Sequence, residues 1–412
     1  MTTFGIVFLA AVVLSTSTRL WLEWRHLKHV IAYRARVPAE FSERITLSAH
    51  QKAADYTCAK TQLRMVSITV DAAIVLALTF GGLLQLLHNI SAAWMSQGIL
   101  GGLLLIVLLM ILLTVIETPF SYYRAFTIEE RFGFNRMTRA LFFADMAKNA
   151  LLAAAFGLPL AALVLWLMER AGSYWWIYVW LVWVVFNVVV LMIYPTWIAP
   201  LFNKFSPMQD PEIRERVERL LARCGFKVKG LVVMDGSRRS AHGNAYFTGF
   251  GAAKRIVFFD TLLAALEPPE VEAVLAHELG HFKLRHVLKR MIWLFLTSLG
   301  FLALLGYVIQ EGWFYSGLNV STPSTAIALI LFFIVVPQFS FVLQPLAAMY
   351  SRKHEFEADQ YAVSKASAHD LIAALIKLYK DNASTLTPDP LHSAFYDSHP
   401  PAVARIARLQ KA

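Results

Sequence analysis

Seven long apolar runs constrain this chain more than any other feature. A bilayer core accepts about 20 mostly apolar residues as a helix. Runs near that length occur at Phe4–Leu22, Val66–Leu87, Ile99–Ile116, Ala150–Met168, Trp175–Tyr194, Met291–Ile309 and Ala326–Val342. In hydrocarbon every backbone N–H and C=O needs an internal partner, which a helix supplies within its own segment. The expected fold is therefore a mainly α polytopic membrane protein with about seven transmembrane helices. An even count stays open, because the first run gives way to STSTR at 15–19. With no basic segment before it and no A-x-A site after it, that run reads as a retained anchor and not a cleaved signal peptide. Composition agrees: 57% of the 412 residues are hydrophobic and 16% charged, with mean hydropathy +0.53, against about 25% charged in soluble domains.

The net charge of +10 raises the question of a nucleic-acid partner. In membrane proteins, however, Lys and Arg collect in cytoplasmic loops and meet anionic lipid, so membrane lipid is the expected partner and nucleic acid is not. Arg25, Lys28, Arg34, Arg36, Arg44, Lys52, Lys60 and Arg64 follow the first apolar stretch, and Arg124, Arg131, Arg136 and Arg139 follow the third, whereas residues 91–98 and 310–324 contain neither Lys nor Arg. The positive-inside rule then places the N-terminus outside, and 195–290 and 350–412 in the cytoplasm. The domains expected are 1–194 with five spans, 195–290 as a cytoplasmic catalytic region, 291–349 with two further spans, and 350–412 as a C-terminal cytoplasmic region. Asp71, inside the second run, is costly in lipid; it faces a cavity or partner, or snorkels. Cys58 and Cys224 are too few and too far apart for a disulfide framework or a cysteine metal cage.

The region 195–290 mixes helix and strand. Residues 210–226 open with the cap residue Asp210 and with Pro211 at the first helical position, and carry apolar residues at helical spacing. KGLVVMD (229–235), NAYFTGF (244–250) and KRIVFFD (254–260) read as short strands, the last two joined as a hairpin through GAAK (251–254). Helical character resumes at PPEVEAVLAHELGHFKLRHVLKR, which contains the chemical motif AHELGHF (276–282).

Residues four apart lie on one helix face a turn from each other, so the His277 and His281 imidazoles can converge on a single ion. Glu278 is displaced around the helix, where it can hold a water without ligating the metal. That is the general-base position of HExxH metalloproteases. The plain alternative is a polar helix turn. Catalytic zinc takes three protein ligands and leaves one position for water. His286 lies five residues past His281, about 140° around a continuous helix, and is set aside as a surface or interfacial histidine. The third ligand is sought in RKHEFEADQY (352–361), where Glu355 and Asp359 share a face and Glu357 points the other way. Glu355 is the candidate ligand, and Asp359 the candidate acceptor for a ligand histidine's free N–H. The competing reading is an acidic helix end paired with Arg352 and Lys353, worth little.

These motifs resemble the type I CAAX prenyl proteases, integral-membrane zinc endopeptidases. The resemblance runs from PFSYYRAFTIEERFGFNRMT (119–138) through YPTWIAPLFNKFSPM (194–208) and GSRRSAHGNAYFTGFGAAKRIVFFDTLL (236–263) to HELGH, EFEAD and SHPPAVARIARL (398–409). It implies seven helices enclosing a chamber, with a cytoplasmic α+β zinc metalloprotease domain of gluzincin-like HExxH type. It also implies one Zn²⁺ held by His277, His281 and Glu355, with Glu278 as base. Asn244, Ala245 and Tyr246 resemble the substrate-binding strand, and His399 and Arg405 the residues that stabilise the oxyanion or hold substrate. The terminus RLQKA lacks a lysine-rich retrieval tail and the outer loops are short. The expected location is therefore a bacterial inner membrane with the site on the cytoplasmic side; the endoplasmic reticulum is the alternative.

Three functions compete at this point. One is an endopeptidase acting near the C-terminus of a lipidated or membrane-associated peptide. Another is a quality-control protease for membrane proteins, with the same chemistry and no prenyl requirement. The third is a transporter or scaffold in which the metal is structural.

Overall fold

The structure is a computed structural model, and it describes residues 1–95, 98–226, 230–248 and 255–411. Among the described residues, seven helices are long and apolar enough to cross a membrane: Thr3–Tyr33, Leu47–Leu78, Ile99–Glu129, Arg139–Arg170, Gly172–Phe202, His286–Val308 and Thr325–Val363. Most exceed the apolar runs that announce them. The second is 32 residues long, about 48 Å at 1.5 Å per residue, against a hydrocarbon core of about 30 Å. It begins well before the expected Val66 and stops at Leu78, followed by a turn in which Gly82 adopts φ 72°. Apolar residues 83–87, expected within that span, instead start a separate helix, Leu83–Trp94. The polar half of the second helix is held by protein, since His50, Tyr56, Thr57 and Thr61 are buried.

Threonine or serine caps open four of these helices: Thr2, Thr46, Thr138 and Ser324 each accept a backbone N–H of the first turn. The third, fourth and fifth spans contain wide π turns at Arg124–Glu129, Ala153–Gly157 and Tyr194–Ile198. Each lies within a few residues of Pro119, Pro159 or Pro195, which cannot donate to the helical ladder. Large apolar side chains such as Ile111, Val115, Val185 and Phe333 are exposed on the spans, as a lipid-facing surface requires.

Between the fifth and sixth spans lies a four-stranded sheet: β1 Phe205–Pro207, β2 Gly230–Met234, β3 Ala245–Thr248 and β4 Arg255–Phe259, in the order β1-β2-β4-β3. β2 and β4 are parallel, and β3 runs antiparallel to β4 with Ala245 opposite Phe258. The expected GAAK turn between β3 and β4 lies outside the described residues. This sheet, the helix Pro211–Cys224, the motif helix Pro268–Lys283 and the last helices of the chain share one apolar core, in which Val271, Leu275 and Leu279 meet Phe258, Ile256, Leu375 and Ile406. A second core, including Phe8, Leu84, Leu105, Leu165 and Leu331, joins the spans.

A cavity of about 780 Å³ is lined by residues of the first three spans and of the C-terminal region, including Arg64, Glu117, Tyr379, His399 and Arg405. Asp71 is exposed, one helical turn from Ser67, which lines the cavity.

Candidate active site

The motif helix Pro268–Lys283 starts with a capping box: Glu267 accepts from the Glu270 backbone, and Glu270 accepts from the backbone N–H of Glu267. Its buried face carries Ala273, Ala276, His277 and Gly280. It packs along helix Gln344–Val363, which continues the seventh span and bears Glu355 and Asp359; residues 349 and 350 fall within this one helix. The contact is close because position 280 has no side chain. A Cβ on Gly280 would come within 2.9 Å of Ala358 Cα.

The packing brings three donor groups together. His281 Nε2 lies 3.2 Å from His277 Nε2 and 3.2 Å from Glu355 Oε1, and His277 Nε2 is 3.5 Å from Glu355 Oε2. Ligands at about 2.0–2.1 Å from a tetrahedral ion stand roughly 3.3–3.4 Å apart; the two nitrogens stand at that spacing and each faces a different oxygen of the Glu355 carboxylate, so the cluster is of a size to hold one metal ion. The chemistry of the set agrees. Two imidazole nitrogens turned toward each other beside a buried carboxylate require a cation or a proton between them, and two nitrogens with one carboxylate oxygen suit zinc.

Each donor has outer support. His277 Nδ1 donates to Asp359 Oδ1 at 2.8 Å. The buried Arg405 closes on the same carboxylate in bidentate fashion, Nη2 to Oδ1 at 2.7 Å and Nε to Oδ2 at 2.8 Å. Without an ion, burial and the Arg405 charge push the His277 pKa down, but its hydrogen bonds to Asp359 and Glu355 outweigh them and the net shift is upward. Burial likewise lowers the Arg405 pKa, and the Asp359 contacts more than reverse it. Glu355 Oε2 accepts from His399 Nδ1 at 2.7 Å. His399 is 65% exposed and faces the cavity, so it is the most accessible group of the cluster. Glu278 is half-buried and has no hydrogen-bonding or ion-pairing partner among the described residues.

Arg352 and Lys353 do not pair with Glu355 or Asp359. Arg352 Nη1 donates to the carbonyls of Ser393 and Asp397, at 3.0 and 2.9 Å, and so ties down the end of helix Pro390–Tyr396 just ahead of the Ser398–Pro401 loop. That loop carries His399, and the helix after it, Ala402–Leu409, carries Arg405.

Of the segment Asn244, Ala245, Tyr246, the last two begin β3, an edge strand, and Asn244 immediately precedes it. Phe259 N–H donates to the Asn244 carbonyl at 3.0 Å. By the two-residue alternation of an antiparallel pair, the main-chain groups of Ala245 and Phe247 face away from β4. The loop ahead of β3 is held by Asn382, whose Oδ1 accepts the Gly243 N–H at 3.2 Å and stands 3.1 Å from His242 Nδ1.

The structure corrects the reading of His286. It is buried, not a surface residue, and its Nδ1 stands 2.9 Å from His281 Nδ1. The 140° argument presumed one continuous helix. In fact the motif helix ends at Lys283, and Arg285 takes a left-handed conformation, φ 56° and ψ 35°, before a new helix starts at His286. No apolar periodicity marks that break, and a left-handed arginine is uncommon, so the sequence carried no usable signal for it.

Comparison with known proteins gives a consistent result. A family model described as CAAX prenyl protease N-terminal, five membrane helices, matches residues 26–204, and one described as peptidase family M48 matches residues 207–412. The CAAX prenyl protease 1 homolog of Dictyostelium discoideum is 32% identical over 420 residues, covering 100% of this chain and 98% of the relative. The human homolog is 30% identical over 453 residues, covering 98% and 95%. The crystal structure of S. mikatae Ste24p matches with a TM-score of 0.94 at 29% identity, over 99% of each chain.

Proposed function

Since this chain belongs to the CAAX prenyl proteases of peptidase family M48 and is thus a multi-pass membrane metalloendopeptidase acting on protein or peptide, we propose that His277, His281 and Glu355 hold one zinc ion and that Glu278 is the general base. The observation that carries this reading is the cluster of His277, His281 and Glu355, whose donor atoms approach one another at 3.2–3.5 Å, with Glu278, next to His277 in sequence, free of other partners among the described residues.

A bound zinc ion would polarise the scissile carbonyl and acidify a nearby water. Glu278 takes the proton of the attacking water and delivers it to the leaving amine nitrogen. The outward main-chain groups of Ala245 and Phe247 align an extended peptide as an added strand, without demanding a sequence. His399, accessible from the cavity, turns its N–H from Glu355 to the carbonyl oxygen as negative charge develops there. Arg405 acts through Asp359 and holds the His277 ring in place.

The substrate proposed is a peptide cleaved near a lipidated C-terminus, at the cytoplasmic face, in a bacterial inner membrane. Support for the lipid comes from a second cavity of about 520 Å³, lined by Ala59, Leu63, Val66, Pro119, Phe120 and Ile128 among others, that shares Leu63 and Phe120 with the first. Support for sidedness comes from the Lys and Arg distribution, and for the membrane from the short outer loops. Under this proposal the membrane regions 1–194 and 291–349 enclose the site, and 195–290 and 350–412 build it.

The test is cleavage of fluorescent peptides with and without a farnesyl group by the wild type and by Glu278→Gln. The variant should retain zinc and lose turnover. Retained turnover would remove Glu278 from the mechanism, and equal cleavage of both peptides would remove the lipid requirement.

A further inference from the structure

We propose that His286 and Glu357 are positioning residues for the metal centre, forming a relay that fixes the tautomer of His281. The inference rests on the assignment of His281 as a ligand through Nε2.

A neutral imidazole has one N–H and one acceptor nitrogen. His281 Nε2 points into the donor triangle, and its Nδ1 points at His286 Nδ1, 2.9 Å away. His286 Nε2 in turn stands 2.9 Å from Glu357 Oε2. Only one assignment of protons satisfies all three positions. If the lone pair of His281 lies on Nε2, its proton is on Nδ1 and is donated to His286 Nδ1. His286 must then carry its own proton on Nε2, donated to the Glu357 carboxylate. The reverse assignment places a proton on His281 Nε2, inside the triangle, and turns a His286 lone pair toward a carboxylate. Glu357, which can only accept when ionised, therefore sets the direction of the chain.

The surroundings hold the relay in place. The left-handed turn at Arg285 swings His286 under His281. His286 stacks on His354 with centroids 4.0 Å apart and planes at 7°, and Tyr350 meets His354 edge-on at 4.2 Å. These groups could suggest a second metal site, because His286, His354 and Glu357 lie close together. Stacked rings, however, direct their lone pairs along parallel planes, where they do not converge on one ion. The stack is a support for the His286 ring.

The experiment uses the full-length protein in detergent and measures the apparent zinc dissociation constant by competition with a chromophoric chelator, together with the visible spectrum of the Co²⁺-loaded form. His286→Phe keeps the stack on His354 and removes the acceptor; it should weaken zinc binding by about 10–100-fold and alter the Co²⁺ bands. Glu357→Ala should shift both readouts in the same direction. Glu357→Gln, whose amide oxygen still accepts the His286 proton, should stay nearer the wild type than Glu357→Ala does. Wild-type affinity in both His286→Phe and Glu357→Ala overturns the relay. A wild type that binds no stoichiometric zinc overturns the metal assignment beneath it, so the two failures are distinguishable.

Discussion

His277 and Asp359, 82 residues apart in sequence, are joined by a 2.8 Å hydrogen bond from Nδ1 to Oδ1, with Arg405 closing the other side of the carboxylate. The bond spans the two helices that carry the candidate ligands and turns His277 Nε2 toward His281 and Glu355, with Arg405 Nη2 3.3 Å away. Asp359→Asn should weaken zinc binding by about 10–100-fold, with cleavage recovered at saturating zinc. Arg405→Ala leaves a buried carboxylate without its cation and should cost about 3–5 kcal/mol of stability. Chelator competition checks the first, and thermal melting the second.

Gly280 controls the same helix pair by what it lacks. A methyl group there meets Ala358 Cα at 2.9 Å and its carbonyl oxygen at 3.0 Å, and neither backbone can yield without moving Glu355 or Asp359. Gly280→Ala should therefore destabilise the protein by about 1–3 kcal/mol and weaken metal binding as well. Unchanged affinity with unchanged melting temperature would show that the helices separate at no cost to the site.

Removal of the metal should leave the apposed donors of His277, His281 and Glu355 without a cation between them. Chelation should abolish cleavage and lower the melting temperature, and zinc at 100 times its dissociation constant should return about 2.7 kcal/mol of stability. Magnesium and calcium should not substitute, because both prefer all-oxygen shells. Calorimetry with and without each ion decides the matter.

Asp389 supplies a pH dependence far from the metal. It caps helix Pro390–Tyr396 by accepting the N–H groups of Leu391 and His392, and it receives Arg25 Nε at 2.9 Å. Burial would raise its pKa, but the His392 N–H and Arg25 outweigh burial, and its value falls below the ordinary 3.8. A carboxyl whose folded pKa is depressed adds stability above its unfolded pKa and loses it as pH falls through the folded value. Asp389→Asn keeps a capping oxygen but loses the ion pair with Arg25, so it should be less stable than the wild type at pH 7 by up to about 1 kcal/mol, with the gap closing below about pH 4. A gap that stays constant from pH 7 to pH 3 contradicts this.

Much of the fold was legible because lipid imposes a simple rule: long apolar runs announce helices. Their ends were less legible. The second span begins at Leu47 and ends at Leu78, since burial of Tyr56, Thr57 and Thr61 among other helices compensates for their polarity, which no local hydropathy can register. Within the site, the four-residue spacing of His277 and His281 needs only helix geometry, and the same holds for Glu355 and Asp359.

What the sequence determined by itself is whatever one helix or one bilayer crossing dictates: seven apolar spans, two histidines on one face, two carboxylates on another, and a base beside the first. What only the tertiary structure decided is how these faces meet. Gly280 lets the helices approach, Arg405 arrives from the C-terminus to hold Asp359, and Arg285 breaks the motif helix so that His286 reaches His281. The reason is physical: local periodicity fixes directions around a single axis, whereas the distance between two axes, and the turn of chain after one of them ends, depend on packing against residues remote in sequence.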